Sequence, residues 1–252
     1  MSPLRRLFSI EPLTEPGAVV RLDPDESHHG RCVLRLRAGD RTAVFDSAGS
    51  QFVATIQGVE DKRLLLVLAK PLAAAPEPPI PISLYLALTK GEAFDSILQR
   101  AVELGAAEIV PFVAERSVPT VGRGKDLERK VGRWRQILLS ATKQCGRARL
   151  TAVTAPCPFN EAIARPDAGS LRFCCAPDAA APKFSEMLRS LSLSSAQSLA
   201  IMIGPEGGLT DGEITTARDH GWHLVSLGPR ILRVETAATA ALTRVLVALG
   251  DL

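Results

Sequence analysis

Ile201-Met202-Ile203-Gly204-Pro205-Glu206-Gly207-Gly208-Leu209-Thr210-Asp211-Gly212-Glu213 joins an apolar run to a loop holding three glycines and then to the start of a helix. The apolar residues, with Leu199 and Ala200 before them, form a short unbroken run of the kind found in a buried strand. Thr210 followed three residues later by Glu213 has the form of a capping box, which starts a helix at Asp211. Between them, glycine permits positive φ and lets another group approach the backbone. Strand, loop and helix in this order suit a small molecule held at the carboxyl edge of a parallel sheet. An ordinary tight strand-to-helix turn has the same local signature. Two nucleotide loops are excluded: the segment has no G-x-G-x-x-G, and Gly124-Lys125 is followed by Asp126 with no glycine at the required upstream position.

Moving toward the C-terminus, Leu227-Gly228-Pro229-Arg230-Ile231-Leu232-Arg233-Val234-Glu235-Thr236-Ala237 places a Gly-Pro turn, two arginines and a Glu-Thr pair between a strand at His223 to Leu227 and a helix from about Thr236 to Leu249. Polar side chains and a helix N-terminus would meet there at a sheet edge. Read alone, Arg233 and Glu235 are more simply a surface ion pair.

Moving toward the N-terminus, strands and helices alternate, which argues for an α/β domain with a parallel sheet. Ile82 to Leu88, Ile109 to Val113 and Leu171 to Cys175 read as buried strands. Ala93 to Leu104 is an amphipathic helix with Phe94, Ile97, Leu98, Ala101 and Leu104 on one face, and Gly105 stands where a left-handed cap is expected. Asp126 to Cys145 is a long helix with Leu127, Val131, Trp134, Leu138, Ala141 and Cys145 on one side and its basic residues elsewhere. The four prolines of Ala73-Ala74-Ala75-Pro76-Glu77-Pro78-Pro79-Ile80-Pro81 fix φ and remove donors, so residues 73–81 read as a linker. Before it, Ala18 to Leu22, Arg41 to Phe45, Gln51 to Val59 and Arg63 to Ala69 are β-rich runs, with a hairpin turn at Asp46-Ser47-Ala48-Gly49. The expected division is therefore a small β domain over residues 1–72, the linker, and an α/β domain over residues 82–252.

The 252 residues carry a net charge of only +3, so the position of the basic residues matters more than their number. Nine Lys or Arg fall between Arg123 and Arg149 (Arg123, Lys125, Arg129, Lys130, Arg133, Arg135, Lys143, Arg147, Arg149), against Asp126 and Glu128. A second basic run is Arg31, Arg35, Arg37 and Arg41. With only eight Phe, two Trp and one Tyr, no clustered stacking platform is visible, so a nucleic acid would be held by charge. Five cysteines without a C-x-x-C pair read as reduced thiols rather than a disulfide framework or a zinc site. The N-terminus has no apolar run of signal-peptide length, and no stretch of about 18 apolar residues occurs, so a cytoplasmic protein without membrane or metal is expected.

The two C-terminal segments together resemble the motifs of the 16S rRNA (uracil-N3)-methyltransferases, a family of the SPOUT superfamily. Further upstream, Lys90-Gly91-Glu92, Gln99, Glu103-Leu104-Gly105 and Glu115-Arg116-Ser117 are similar to that family's first α/β unit, and Gln144-Cys145-Gly146-Arg147 to the end of its basic helix. His28-His29, Val33-Leu34-Arg35 and Gly39-Asp40 resemble its N-terminal PUA-like domain. The chain departs from the pattern in Ala176-Pro177, where the family often has His-Pro, in Lys143, where many members carry an acid, and in Val234-Glu235-Thr236 in place of Thr-Glu-Thr.

The resemblance implies a C-terminal trefoil knot, an exception to the rule that chains do not knot, preceded by a small PUA-like β-barrel. It implies a homodimer acting on 16S ribosomal RNA or the small ribosomal subunit, with S-adenosyl-L-methionine (SAM) as cofactor. Cys175, Ile203, Gly204, Pro205, Glu206, Gly207, Gly208, Leu227, Gly228, Ile231, Leu232, Thr236 and Ala237 are the expected cofactor contacts. Arg233 is the candidate cation and Glu235 the candidate base in catalysis. Arg31, Arg35, Arg129, Lys130, Arg133 and Arg147 are the candidate RNA contacts. Two other readings stand beside this one. A non-catalytic RNA-binding or ribosome-assembly protein would have kept the fold without the cofactor, and a SPOUT enzyme of ribose hydroxyls usually has a Ser-Leu-Asn type motif that Arg233-Val234-Glu235-Thr236 does not match.

Overall fold

The computed structural model describes residues 4–118, 122, 124–176 and 181–252, so Arg123 of the basic run and Pro177 after Ala176 lie outside the described residues. The chain divides into two compact units, residues 1–77 with 142–150 and residues 78–141 with 151–252. The division falls inside the proline-rich stretch. The return of residues 142–150 to the first unit was not visible in the pattern of the sequence.

The first unit holds β1 (Arg6–Ser9), β2 (Val19–Arg21), helix α1 (Pro24–His28) with a π-helical turn at His29–Val33, β3 (Arg41–Asp46), β4 (Gln51–Glu60) and β5 (Arg63–Pro71). The strands are hydrogen-bonded in the open order β1-β3-β4-β5-β2, antiparallel except for β1 beside β3. Alternate residues of the strands face one side, where Leu7, Val20, Val44, Phe52, Ala54, Ile56, Leu64, Leu66 and Leu68 form the core. The Asp46 carboxylate makes the expected hairpin turn, its Oδ1 accepting from the N–H of Ala48 and of Ser50 at 2.9 Å.

Within this unit Lys143 Nζ donates to Glu26 Oε1 at 2.7 Å, and the same carboxylate oxygen accepts from the N–H of Phe8 at 3.1 Å. Glu26 is only 6% exposed. A cation is therefore what this position needs, because a second acid would leave two buried negative charges without compensation.

The second unit holds β6 (Ile82–Ala87), α2 (Gly91–Glu103), β7 (Glu108–Val113), α3 (Lys125–Cys145, whose last turn belongs to the first unit), β8 (Ala152–Val153), β9 (Cys157–Pro158), α4 (Phe159–Ala164), β10 (Ser170–Cys175), α5 (Phe184–Ser190), β11 (Ser198–Ile203), α6 (Asp211–Asp219), β12 (His223–Val225) and α7 (Val234–Leu249). Its strands are all parallel in the order β12-β10-β11-β6-β7-β8, with β9 also on β7. The expected α/β class is thus present. Both faces of such a sheet must be covered, which is why its strands read as unbroken apolar runs. Tyr85, Phe112, Cys174, Met202 and Trp222 belong to one core cluster, and the Trp222 indole donates to the carbonyl of Ile163 at 3.0 Å.

Register sets the site. Cys175 pairs with Ile203 on one side and with Val225 on the other, so β12, β10 and β11 end level with one another. Gly105 closes α2 at φ 76°, as expected of a left-handed cap.

Candidate functional site at the carboxyl edge of the sheet

The level carboxyl ends of β12, β10 and β11 open on a cavity of about 920 Å³. Its walls are the glycine loop after β11, the segment from Leu227 to Val234 after β12, Cys175 and Ala176 after β10, and Glu235 and Ala237 from the first turn of α7. Every expected cofactor residue lines this cavity except Thr236, which is exposed on α7. Arg233 and Glu235 line it as well. Stretches about twenty to thirty residues apart in the chain are brought together because neighbouring parallel strands present their loops at one edge.

The glycine loop has its shape for identifiable reasons. Gly208 sits at φ 70°, a region that side-chain-bearing residues enter only at a cost, and its N–H donates to the carbonyl of Pro205 at 2.9 Å to close a turn. A Cβ on Gly207 would lie 3.2 Å from Cβ of Arg116, and one on Gly204 would lie 3.1 Å from Cγ of Leu209. The capping box is complete: the N–H of Thr210 donates to Glu213 Oε2 at 2.8 Å, and the N–H of Glu213 donates to the Thr210 hydroxyl at 3.3 Å.

Arg233 is the N-cap residue of α7 and makes no side-chain cap bond, so its guanidinium is left for the cavity it lines. Among the described residues no ion pair joins it to Glu235, which removes the surface-pair reading. The first backbone N–H groups of α7 open beside it and lack helical partners. The cavity is lined by Arg116, Arg218, Arg230 and Arg233 and by Glu206, Asp211 and Glu235, a mixed set that can meet both a zwitterion and a polyanion. Cys174, one residue before the cavity-lining Cys175, is 1% exposed, and burial pushes its thiol up to about 12, with Arg218 opposing. Burial also raises the thiol of Cys175. Both sulfurs are therefore neutral at physiological pH and are poor competitors for an electrophile.

The candidate RNA contacts separate. Arg129 is exposed beside Asp126 at 3.1 Å, Lys130 lies over the Trp134 ring at 5.4 Å, and Arg133 pairs with Asp95 while remaining 61% exposed. Burial lowers the Lys130 ammonium from its usual value, with Asp95 opposing. Arg31 and Arg35 are exposed in the first unit, and Arg35 holds φ at 56°.

Arg147 does not belong with them. Its side chain is 5% exposed, its Nε donates to Glu77 Oε1 at 3.1 Å and its Nη2 to Glu77 Oε2 at 2.6 Å. A guanidinium so enclosed cannot reach a phosphate, so the expected RNA role is corrected to a structural one. Arg147→Ala should lower stability by about 2–3 kcal/mol, since it leaves the Glu77 carboxylate half-buried without its partner. The salt dependence of RNA binding should stay as in the native protein; denaturant unfolding and salt-titrated filter binding measure the two separately.

Sequence reasoning missed Arg116, whose Nη1 donates to the carbonyl of Gly207 at 3.0 Å from the turn after β7. The only available signal was its place in Glu115-Arg116-Ser117. Among the described residues no His, Cys, Asp and Glu cluster could hold a metal, and no helix is long and apolar enough to cross a membrane.

Comparisons with known proteins identify the family. The family model described as RNA methyltransferase domain matches residues 76–246. The ribosomal RNA small subunit methyltransferase E of Synechocystis sp. is 33% identical, over 90% of this chain and 73% of its own. A protein of Legionella pneumophila, solved in complex with bound SAM, superposes with a TM-score of 0.87 at 31% identity, covering 97% of this chain and 98% of that one. The ribosomal RNA small subunit methyltransferase E of Neisseria gonorrhoeae, solved bound to SAM, gives 0.86 at 28% identity, with 97% of each chain covered. A family model over most of the α/β unit and relatives aligned over nearly the whole chain lead to one conclusion: this chain belongs to the RNA methyltransferase domain family, among the ribosomal RNA small subunit methyltransferases E.

Proposed function

We propose that the protein transfers a methyl group from SAM to N3 of a uridine in 16S ribosomal RNA, working in the cytoplasm on the free RNA or on the small subunit. The observation that carries this reading is the convergence of the glycine loop, the Leu227 to Leu232 segment, Arg233 and Glu235 on one cavity at the sheet edge. About 920 Å³ is ample for a cofactor of this size. The residues present fit it. Ile203, Leu227 and Leu232 offer an apolar surface to an adenine ring, and the glycines leave backbone groups open to it. When bound, SAM supplies a methyl group made electrophilic by its sulfonium.

Holding the uracil in line with that methyl supplies much of the acceleration, roughly 7–11 kcal/mol by effective-molarity arguments. The remaining task is the N3 proton, because the neutral imide is a poor nucleophile. Arg233 faces the developing negative charge on the uracil carbonyl oxygens, and Glu235, on the same cavity wall, takes the proton. The N3–carbon bond forms as the carbon–sulfur bond breaks.

The same proposal includes the trefoil knot, the PUA-like closure of the first unit and a homodimer, all of which rest on the family resemblance. Arg129, Lys130 and Arg133 in the second unit and, separately, Arg31 and Arg35 in the first are the RNA contacts of this proposal. Changing Arg129, Lys130 and Arg133 together to Ala should lower the slope of log affinity against log salt by about 2, as phosphate contacts are lost at about 0.7 each. Cofactor affinity should not change. An unaltered slope removes α3 from the footprint.

Calorimetric titration with SAM tests the reading against a non-catalytic RNA binder. One site per chain is expected, and no heat of binding would favour the alternative.

A further inference from the structure

The turn after β7 is attached to the glycine loop at more than one point. The Arg116 guanidinium donates to the carbonyl of Gly207 at 3.0 Å, across 91 positions of sequence. The N–H of Glu115 donates to Glu213 Oε1 at 2.9 Å. The Thr210 hydroxyl lies 3.4 Å from Glu115 Oε2. Glu213, 9% exposed, thus divides its carboxylate between its own helix cap and a turn on another strand. A capping box needs only the first of these. The second makes the cofactor loop and the Arg116 turn one mechanical piece.

Arg116 itself is exposed and lines the cavity beside Glu206, Asp211 and Glu235, yet among the described residues it forms no ion pair with any of them. One edge of its guanidinium is used on a neutral carbonyl. The remaining N–H groups keep the planar fork that suits a phosphate.

We propose that Arg116 is a positioning residue that joins a backbone phosphate of the bound RNA to the carbonyl of Gly207, so that substrate and cofactor order the same loop. The inference rests on the function proposed above. Because coupling between two ligands is reciprocal, RNA should tighten cofactor binding by the same factor by which cofactor tightens RNA binding. A bare positive charge at position 116 does not reproduce this, since the bridge needs two donors fixed in one plane.

The test is filter binding of 16S rRNA with and without saturating S-adenosylhomocysteine, on the full-length protein, Arg116→Ala and Arg116→Lys. The native protein should bind RNA about tenfold tighter when the cofactor product is present, within the usual range of such couplings. In Arg116→Ala the ratio should fall to near one, with a loss of only a few-fold in cofactor-free RNA affinity. Arg116→Lys should restore most of that affinity and leave the ratio near one. A ratio unchanged in Arg116→Ala overturns the proposal. So does a structural pattern, in which melting temperature and both affinities fall together and lysine restores all three. Native protein that methylates RNA but shows no coupling sinks this inference alone, whereas native protein that neither binds S-adenosylhomocysteine nor methylates RNA sinks the proposed function with it.

Discussion

Arg233→Ala should lower kcat by a factor of about 10 to 1000 while SAM affinity stays within a few-fold of the native value. The range follows from what a neighbouring cation does to an acid: it lowers the pKa by about 1–3 units, each worth about 1.4 kcal/mol. Arg233 lines the cavity without an ion-pair partner among the described residues, so its charge is available to the imide anion that forms at uracil N3. An interaction that strengthens mainly in the transition state leaves ground-state binding nearly intact. Raising the pH should partly rescue the variant, because hydroxide then does part of what the cation did, and the ratio of variant to native rate should climb. If Arg233 only supports the start of α7, where it is the N-cap, the variant would instead lose melting temperature and cofactor affinity together, with no selective recovery at high pH. Single-turnover rates across a pH series, with melting curves on the same samples, separate these outcomes.

The second large effect is expected at the glycine loop. Gly208→Val should reduce SAM affinity by roughly 5- to 150-fold, the equivalent of about 1–3 kcal/mol, while the protein remains folded. The space around a Cβ at Gly208 is open, so the effect does not come from a clash with the protein. It comes from φ at 70°, where a β-branched residue is strained by about 1–3 kcal/mol and is driven toward negative φ. That rotation breaks the Gly208 N–H to Pro205 carbonyl bond and turns the loop's backbone away from the cavity. Gly208→Ala should show the same change in weaker form. Calorimetry on each variant, with unfolding curves as control, checks it; native affinity in Gly208→Val would remove this loop from the cofactor site.

What could be read from the sequence follows from how local each signal is. The capping box of Thr210 and Glu213, the left-handed Gly105 and the Asp46 turn each depend on a few adjacent residues, and each is found where expected. The apolar runs of β6, β7, β10 and β11 were legible because a parallel sheet buries both faces. β1 and the helices α1, α4 and α5 were not, because four to seven residues are too few to show a period. Strand order has no local signature, and the knowledge that Cys175, Ile203 and Leu227 share one edge came from the resemblance and not from spacing. Charge misled at Arg147, whose partner Glu77 lies 70 positions earlier, so a guanidinium read as part of a basic surface is instead enclosed. Arg116 was passed over for the same reason, its partner being the remote Gly207. Lys143 shows the converse. Its departure from the family's acid is explained once the buried Glu26 is seen across from it.

Purified protein incubated with SAM and unmodified 16S ribosomal RNA, followed by digestion to nucleosides and mass spectrometry, tests the central claim most directly. N3-methyluridine should approach one per RNA molecule and should form about 10- to 1000-fold more slowly in Arg233→Ala at neutral pH. Methyl incorporation found only on a ribose hydroxyl or another base, or no incorporation despite cofactor binding, would contradict it.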